Sequence, residues 1–169
     1  MIAIKGLVKK YDALLAVDGL NLEIPAGELF GFIGPNGAGK TTTIKTLVGL
    51  LKPSSGAIHI DGMDIKQDPV RVKKIIGYIP DRPFLYHKLT GWEYLEFVAG
   101  LYSMEQDIAH EKAENFFNFF DLQDFTDGLI EGYSHGMRQK LVIAGALIHS
   151  PKVVIVDEPL VGLDPKGER

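Results

Sequence analysis

Cysteine is absent from the 169 residues, which excludes a disulfide framework, a thiolate metal site and a cysteine nucleophile, and fits a reducing compartment. No apolar run is long enough to cross a membrane: the longest, Leu141 to Ile148, falls far short of the ~20 residues a spanning helix needs. The amino terminus, Met1-Ile2-Ala3-Ile4-Lys5, lacks a basic stretch followed by a long apolar core, so no signal peptide is expected. A basic excess is also missing. Eighteen Lys and Arg stand against 22 Asp and Glu, for a net charge of -4, which argues against a chain that lives on nucleic-acid phosphates. Repeats, charge blocks and low-complexity linkers are likewise missing. What remains is an ordinary soluble composition, 46% apolar and 24% charged, at a length near the ~150 residues of one domain. Glycine is the exception. Nineteen residues without low complexity point to special backbone sites.

Patterning predicts short strands over Ile2 to Val8, Leu20 to Ile24 and Glu28 to Ile33, punctuated by Asp18-Gly19 and Pro25-Ala26-Gly27. A helix is expected from Lys40 to Leu51, ended by Pro53-Ser54-Ser55-Gly56, then strands over Ala57 to Ile60 and Ile75 to Ile79. From Thr90 the period becomes helical. Thr90-Gly91-Trp92-Glu93 forms a capping box, with Leu89 and Tyr94 as its hydrophobic staple. A second helix carries Ala109, Ala113, Phe116, Phe117 and Phe120 on one stripe, and a third runs from Ser134 to Ile148. The β-branched run Val153 to Val156 reads as a strand buried on both faces.

The residues that carry chemistry begin with Gly34-Pro35-Asn36-Gly37-Ala38-Gly39-Lys40-Thr41. The pattern is glycine, four residues, glycine, lysine, then Ser or Thr, with an apolar run entering and a helix leaving. Its glycines let successive backbone N–H groups face phosphate oxygens, and the helix amino terminus adds its positive end. Lys40 reaches the β and γ phosphates, and the Thr41 hydroxyl can ligate magnesium. Asp157-Glu158 follows the buried strand. The first carboxylate can hold magnesium and the second can orient an attacking water. The stretch between Lys40 and Asp157 is far longer than one βαβ unit of about 30 residues, so a helical block is inserted between them.

With these motifs in this order, the chain resembles the nucleotide-binding domain of ABC transporters along essentially its whole length. The resemblance names Gly34 to Thr41 as Walker A, with Thr42 a further phosphate contact, and Asp157 and Glu158 as Walker B and its catalytic glutamate. Ser134-His135-Gly136-Met137-Arg138-Gln139-Lys140 is similar to the family signature, and Gly162-Leu163-Asp164-Pro165 to the D-loop. Tyr11 sits where an aromatic residue of the family stacks on adenine; the alternative is a strand-end tyrosine packing locally. Ser134 and Gly136 then complete the ATP site of an opposite subunit, where the plain alternative for Ser134 is a helix cap without a ligand. The Tyr133-Ser134-x-Gly136-Met137 form is familiar among export-type members. Ile76 to Asp81 resembles the Q-loop, with Asp81 where glutamine is usual, still able to offer oxygen to magnesium. No switch histidine follows: His59, His87, His110 and His149 lie outside that context and read as surface or packing residues, and His135 is within the signature.

The resemblance implies an α/β fold: a P-loop NTPase core with an amino-terminal antiparallel β part and an inserted α-helical subdomain, apparently truncated after the D-loop. Residues 1–88 would form the β part and P-loop core, 89–150 the helical subdomain with the signature, and 151–169 Walker B and the D-loop, the carboxy-terminal part being absent. It further implies ATP and Mg2+ as cofactors, with Thr41, Asp81 and Asp157 as metal ligands and Lys40, Glu158, Ser134 and Gly136 as catalytic groups. The partners implied are an integral-membrane permease and a second nucleotide-binding domain, in a homodimer or heterodimer on the cytoplasmic face of the cell membrane, with no nucleic acid. Two other classes stay open. One is a soluble ABC ATPase acting on nucleic acid or ribosomes, although neither a coiled-coil insertion nor a second domain is present. The other is a module that binds nucleotide without turnover, since a chain of this extent is expected to hydrolyse ATP weakly or not at all.

Overall fold

A computed structural model describes residues 1–82 and 84–157. The chain divides into two compact units, Met1–Ile76 and Gly77–Arg169.

The first unit is built on a four-stranded sheet in the order β2-β1-β3-β4, with β1 Ile2–Tyr11, β2 Leu14–Ile24, β3 Ser55–Ile60 and β4 Met63–Asp64. Every pairing is antiparallel, as expected of the amino-terminal part. Alternate residues Ile2, Ile4, Ile58 and Ile60 are buried, together with Leu7, and the period of two puts them on one face. Against this sheet the sequence adds helices α1 Lys40–Leu47 and α2 Pro69–Lys74, which bury Leu47 and Val72. β2 starts six residues earlier than patterning suggests, because Asp18-Gly19 is not a turn. It lies in a β-bulge, where the register shifts between Leu7↔Leu20 and Lys9↔Val17. Gly19 takes φ 62 and Gly6 on the facing strand φ 56. Asn21 bridges them: its Oδ1 accepts from the Gly6 N–H at 2.8 Å and its Nδ2 donates to the Gly19 carbonyl at 2.9 Å. An extra residue absorbed this way twists the ladder without ending it.

Two further expectations are corrected here. Glu28 to Ile33 is not a strand: it has no ladder partner among the described residues, and Leu29 and Ile33 point into solvent, Ile33 at 97% exposure. A strand exists only through its neighbours' hydrogen bonds, so apolar patterning alone does not make one. The helix from Lys40 stops at Leu47 instead of Leu51, because Gly49 takes φ 70 and closes the end with a bond from its N–H to the Thr46 carbonyl at 3.1 Å.

The second unit holds β5 Ile76–Ile79, α3 Gly91–Leu101, α4 Gln106–Phe119, α5 His135–Leu147 and β6 Val153–Val156. The capping box is present: the Thr90 N–H donates to Glu93 Oε2 at 2.8 Å and the Glu93 N–H to Thr90 Oγ1 at 3.2 Å. The three helices share one apolar core. Leu95 and Ala99 come from α3, Ala113 and Phe117 from α4, Leu141 and Ala144 from α5. The aromatic stripe of α4 is therefore packing, with Phe116 and Phe120 at the margin of the same cluster. β5 and β6 form a two-stranded sheet. The expectation that β6 is buried on both faces fails: Ile155 is buried while Val154 and Val156 are exposed, because β6 pairs with β5 alone among the described residues.

Candidate functional site

In the first unit, residues 34–39 form a loop that turns at Asn36-Gly37 and delivers the chain into α1. The Ala38 N–H donates to the Pro35 carbonyl at 3.2 Å, tightening the turn. Gly37 and Gly39 both take φ 83, the left-handed region that glycine enters without penalty. Gly39 is the N-cap of α1 and brings no side chain to cover the first-turn N–H groups. That leaves the helix amino terminus suited to a phosphate group. A Cβ at Gly39 would run into the Ala16 carbonyl and reach Val17 Cγ2 at 3.2 Å, so the loop rests directly on β2. The Lys40 ammonium arches back over the loop, donating to the carbonyls of Gly34 at 2.6 Å and Pro35 at 2.8 Å. Thr41 and Thr42 follow in the first turn, and the buried Thr46 hydroxyl donates to the Thr42 carbonyl at 2.7 Å.

Tyr11 ends β1 opposite Leu14, at the tip of the hairpin whose second strand supports Gly39. It is 40% exposed, with the Lys9 ammonium 4.9 Å from the ring centre. One strand, β2, thus links the aromatic ring to the loop. The first unit gathers Tyr11, Gly34 to Gly39, Lys40, Thr41 and Thr42.

In the second unit, Asp157 follows β6 directly. Its backbone N–H donates to the Ile79 carbonyl at 2.9 Å, and the residue is only 4% exposed. Tyr78 on β5 registers the surrounding charge: burial raises its phenol pKa, and the carboxylates of Asp157 and then Asp81 raise it further. Two carboxylates from two segments therefore act on one ring. Asp81 itself is partly exposed, with Arg82 Nε 3.8 Å from its Oδ2. Glu158 and the segment Gly162 to Pro165 lie outside the described residues.

Ser134 caps α5, its Oγ accepting the Met137 N–H at 3.2 Å. Ser134, His135 and Gly136 are all exposed, and open space surrounds the Gly136 backbone. Among the described residues no three His, Cys, Asp or Glu side chains cluster as a metal site. His110 stacks on Trp92 with ring centres 4.5 Å apart and His149 on Tyr102 at 3.6 Å, the packing roles expected of them. The sequence places Tyr133, the buried residue just before the cap, in the export-type form of the signature and gives it no structural role. Its burial beside exposed neighbours appears only in the folded chain.

A family profile described as ABC transporter matches residues 17–161. The chain belongs to the ABC transporter family. The daunorubicin/doxorubicin resistance ATP-binding protein DrrA of Streptomyces peucetius is 40% identical over 96% of this chain and 49% of its own length. This chain thus spans about half the length of the curated relatives it matches. Among solved structures, an ATP-binding subunit of an ABC transporter superposes with a TM-score of 0.89 at 34% identity, covering 97% of this chain and 68% of its own. A dimeric ATP-binding cassette in a post-hydrolysis state, bound to ADP and Pi, gives 0.85 at 26% identity, covering 98% and 77%. The fold is accordingly that of the ABC nucleotide-binding domain. No helix among the described residues is long and apolar enough to cross a membrane.

Proposed function

We propose that this chain is the ATP-binding and ATP-hydrolysing part of a membrane transporter, of the exporting kind, working through ATP-dependent dimerisation. The observation that carries the reading is the Walker A geometry: a left-handed glycine cap pressed on β2, an N-terminus of α1 without a capping side chain, and a lysine ammonium arched over the loop. The donor set suits a triphosphate. Gly37 and Gly39 to Thr42 supply backbone N–H groups, Lys40 offsets charge on the outer phosphates, and Tyr11 offers its ring to adenine. The Thr41 hydroxyl of the first unit and the Asp157 and Asp81 carboxylates of the second are the oxygens that would hold Mg2+, which would supply positive charge to offset that of the phosphates. Hydrolysis is a phosphoryl transfer to water, so these residues work by positioning and charge compensation, with Glu158 orienting the water. Ser134 and Gly136 complete the site of a second copy or a paralogue, their helix N-terminus meeting its γ-phosphate. Residues 1–88, 89–150 and 151–169 carry these parts in turn. The export direction draws support from the drug-resistance relative. A permease grip draws support from the exposed aromatics Phe84, Tyr86 and Phe97, whose rings meet edge-on with successive centres 5.4 Å apart.

The test is phosphate release and light scattering with Mg-ATP, with and without a membrane partner. Dimerisation with turnover supports the reading. Stimulation by RNA or DNA instead favours a nucleic-acid ATPase, and binding without turnover a passive module. Within this reading Asp81 acts on chemistry and coupling more than on affinity. Asp81→Gln is expected to keep ATP affinity within about threefold, less than the loss of one hydrogen bond to a charged group, while changing partner-stimulated turnover. An altered melting temperature with unchanged turnover would reduce Asp81 to a turn residue.

A further inference from the structure

We propose that Tyr133 is a positioning residue for Ser134: its phenol locks the peptide entering α5 against the start of α3, and so fixes the aim of the signature helix. The proposal rests on the reading of Ser134 as part of a partner's ATP site.

Tyr133 is 4% exposed while the three residues after it are open to solvent, so the exposed signature hangs from one buried anchor. The phenol donates to the Phe125 carbonyl at 2.8 Å, and its oxygen lies close against the Gly91 backbone at the start of α3. Burial raises the phenol pKa, Asp127 adds to the rise and the Gly91 backbone opposes it. One hydroxyl therefore holds the Phe125 carbonyl and packs on Gly91, main chain from two different segments. The fit is tight on the far side as well. A Cβ at Gly91 would lie 2.5 Å from the phenol oxygen and 3.3 Å from the Thr126 carbonyl, so glycine is what lets the ring approach.

The segment before Tyr133 is laced to the same region. The Ile130 N–H donates to the Leu89 carbonyl at 2.9 Å and the Glu131 N–H to the His87 carbonyl at 3.0 Å. Lys88 Nζ meets Glu131 Oε2 at 2.7 Å. Tyr133 is the last tie in this ladder, and the next residue is the cap. Ser134 Oγ reaches the Met137 N–H only while its own peptide is held in the extended conformation, φ -62 and ψ 165. A phenylalanine would keep the ring packed but leave the Phe125 carbonyl without its donor, and the peptide would shift to satisfy it.

The test is Tyr133→Phe in the full chain, compared with Ser134→Ala. Expected are ATP affinity within about twofold at the chain's own Walker A loop, and ATP-dependent dimerisation and kcat both lowered about threefold to tenfold, the worth of a lost hydrogen bond. Amide exchange at Met137 should quicken as the cap loosens. A lower melting temperature with dimerisation, kcat and Met137 exchange unchanged would make the hydroxyl a core group only and overturn the proposal. Where Ser134→Ala leaves dimerisation intact, the site reading fails, and Met137 exchange in Tyr133→Phe still decides the positioning: faster exchange supports it, unchanged exchange refutes it. Gly91→Ala, which pushes the phenol from the opposite side, gives the same readout if Tyr133→Phe does not fold.

Discussion

Lys40→Ala is expected to weaken ATP binding by at least about thirtyfold, the lower end of the ~2–5 kcal/mol that truncating one partner of a buried charge pair costs. The loop has a single lysine, and its ammonium already lies over the carbonyls of Gly34 and Pro35, where the outer phosphates would come. The remaining donors are backbone N–H groups with partial charges, which cannot replace a full positive charge beside a triphosphate. The fold should survive, because Lys40 is a first-turn residue and alanine is the better helix former. Titration with a fluorescent ATP analogue, alongside an unchanged melting temperature, is the measurement. Unchanged affinity would remove the loop from the site.

In a chain extended to the length of its relatives, Glu158→Gln should separate chemistry from binding. The glutamate follows Asp157, the proposed metal ligand, and is assigned to the attacking water, so its loss is expected to cut hydrolysis by about a hundredfold to ten-thousandfold, the usual range for a positioned acid–base group. ATP affinity should hold, and glutamine keeps nearly the same size. An ATP-bound dimer that no longer turns over would then accumulate, visible as a doubled mass by light scattering. A variant with normal turnover would take Glu158 out of the mechanism.

The readable parts of this chain are those whose chemistry is local. The Thr90–Glu93 capping box, the Ser134 cap and the Lys40 helix start are each written within four residues, and each stands where its residues place it. Elements that depend on distant partners were less readable. Glu28 to Ile33 has the apolar pattern of a strand, but a ladder is made by neighbours, and the segment has none among the described residues. Asp18-Gly19 looks like a turn because a bulge uses the same residues for the same left-handed backbone. β4 and α2 went unanticipated although their signals are present. Asp61-Gly62 is a two-residue hairpin turn between Ile60 and Met63, and Asp68-Pro69 opens a helix with proline in its first turn. The candidate site shows the same division. The residues of the glycine loop, Gly34 to Thr42, form one contiguous run whose geometry follows from its glycines. Asp81 and Asp157 are far apart in the chain and were grouped in the sequence only through the family resemblance; that both carboxylates act on Tyr78 belongs to the folded second unit.

Mixing defective subunits tests the central claim, that each ATP site takes its Walker A loop from one subunit and its signature from the other. Lys40→Ala and Ser134→Ala chains, each alone, should release phosphate at a small fraction of the unaltered rate. In a mixed dimer the two defects fall on the same site, and the other site has an intact loop facing an intact cap. A single-turnover phosphate-release assay on exchanged subunits should therefore recover hydrolysis that neither variant shows by itself. If light scattering shows that the mixed dimers have formed and hydrolysis stays at the level of the separate variants, the shared site is contradicted.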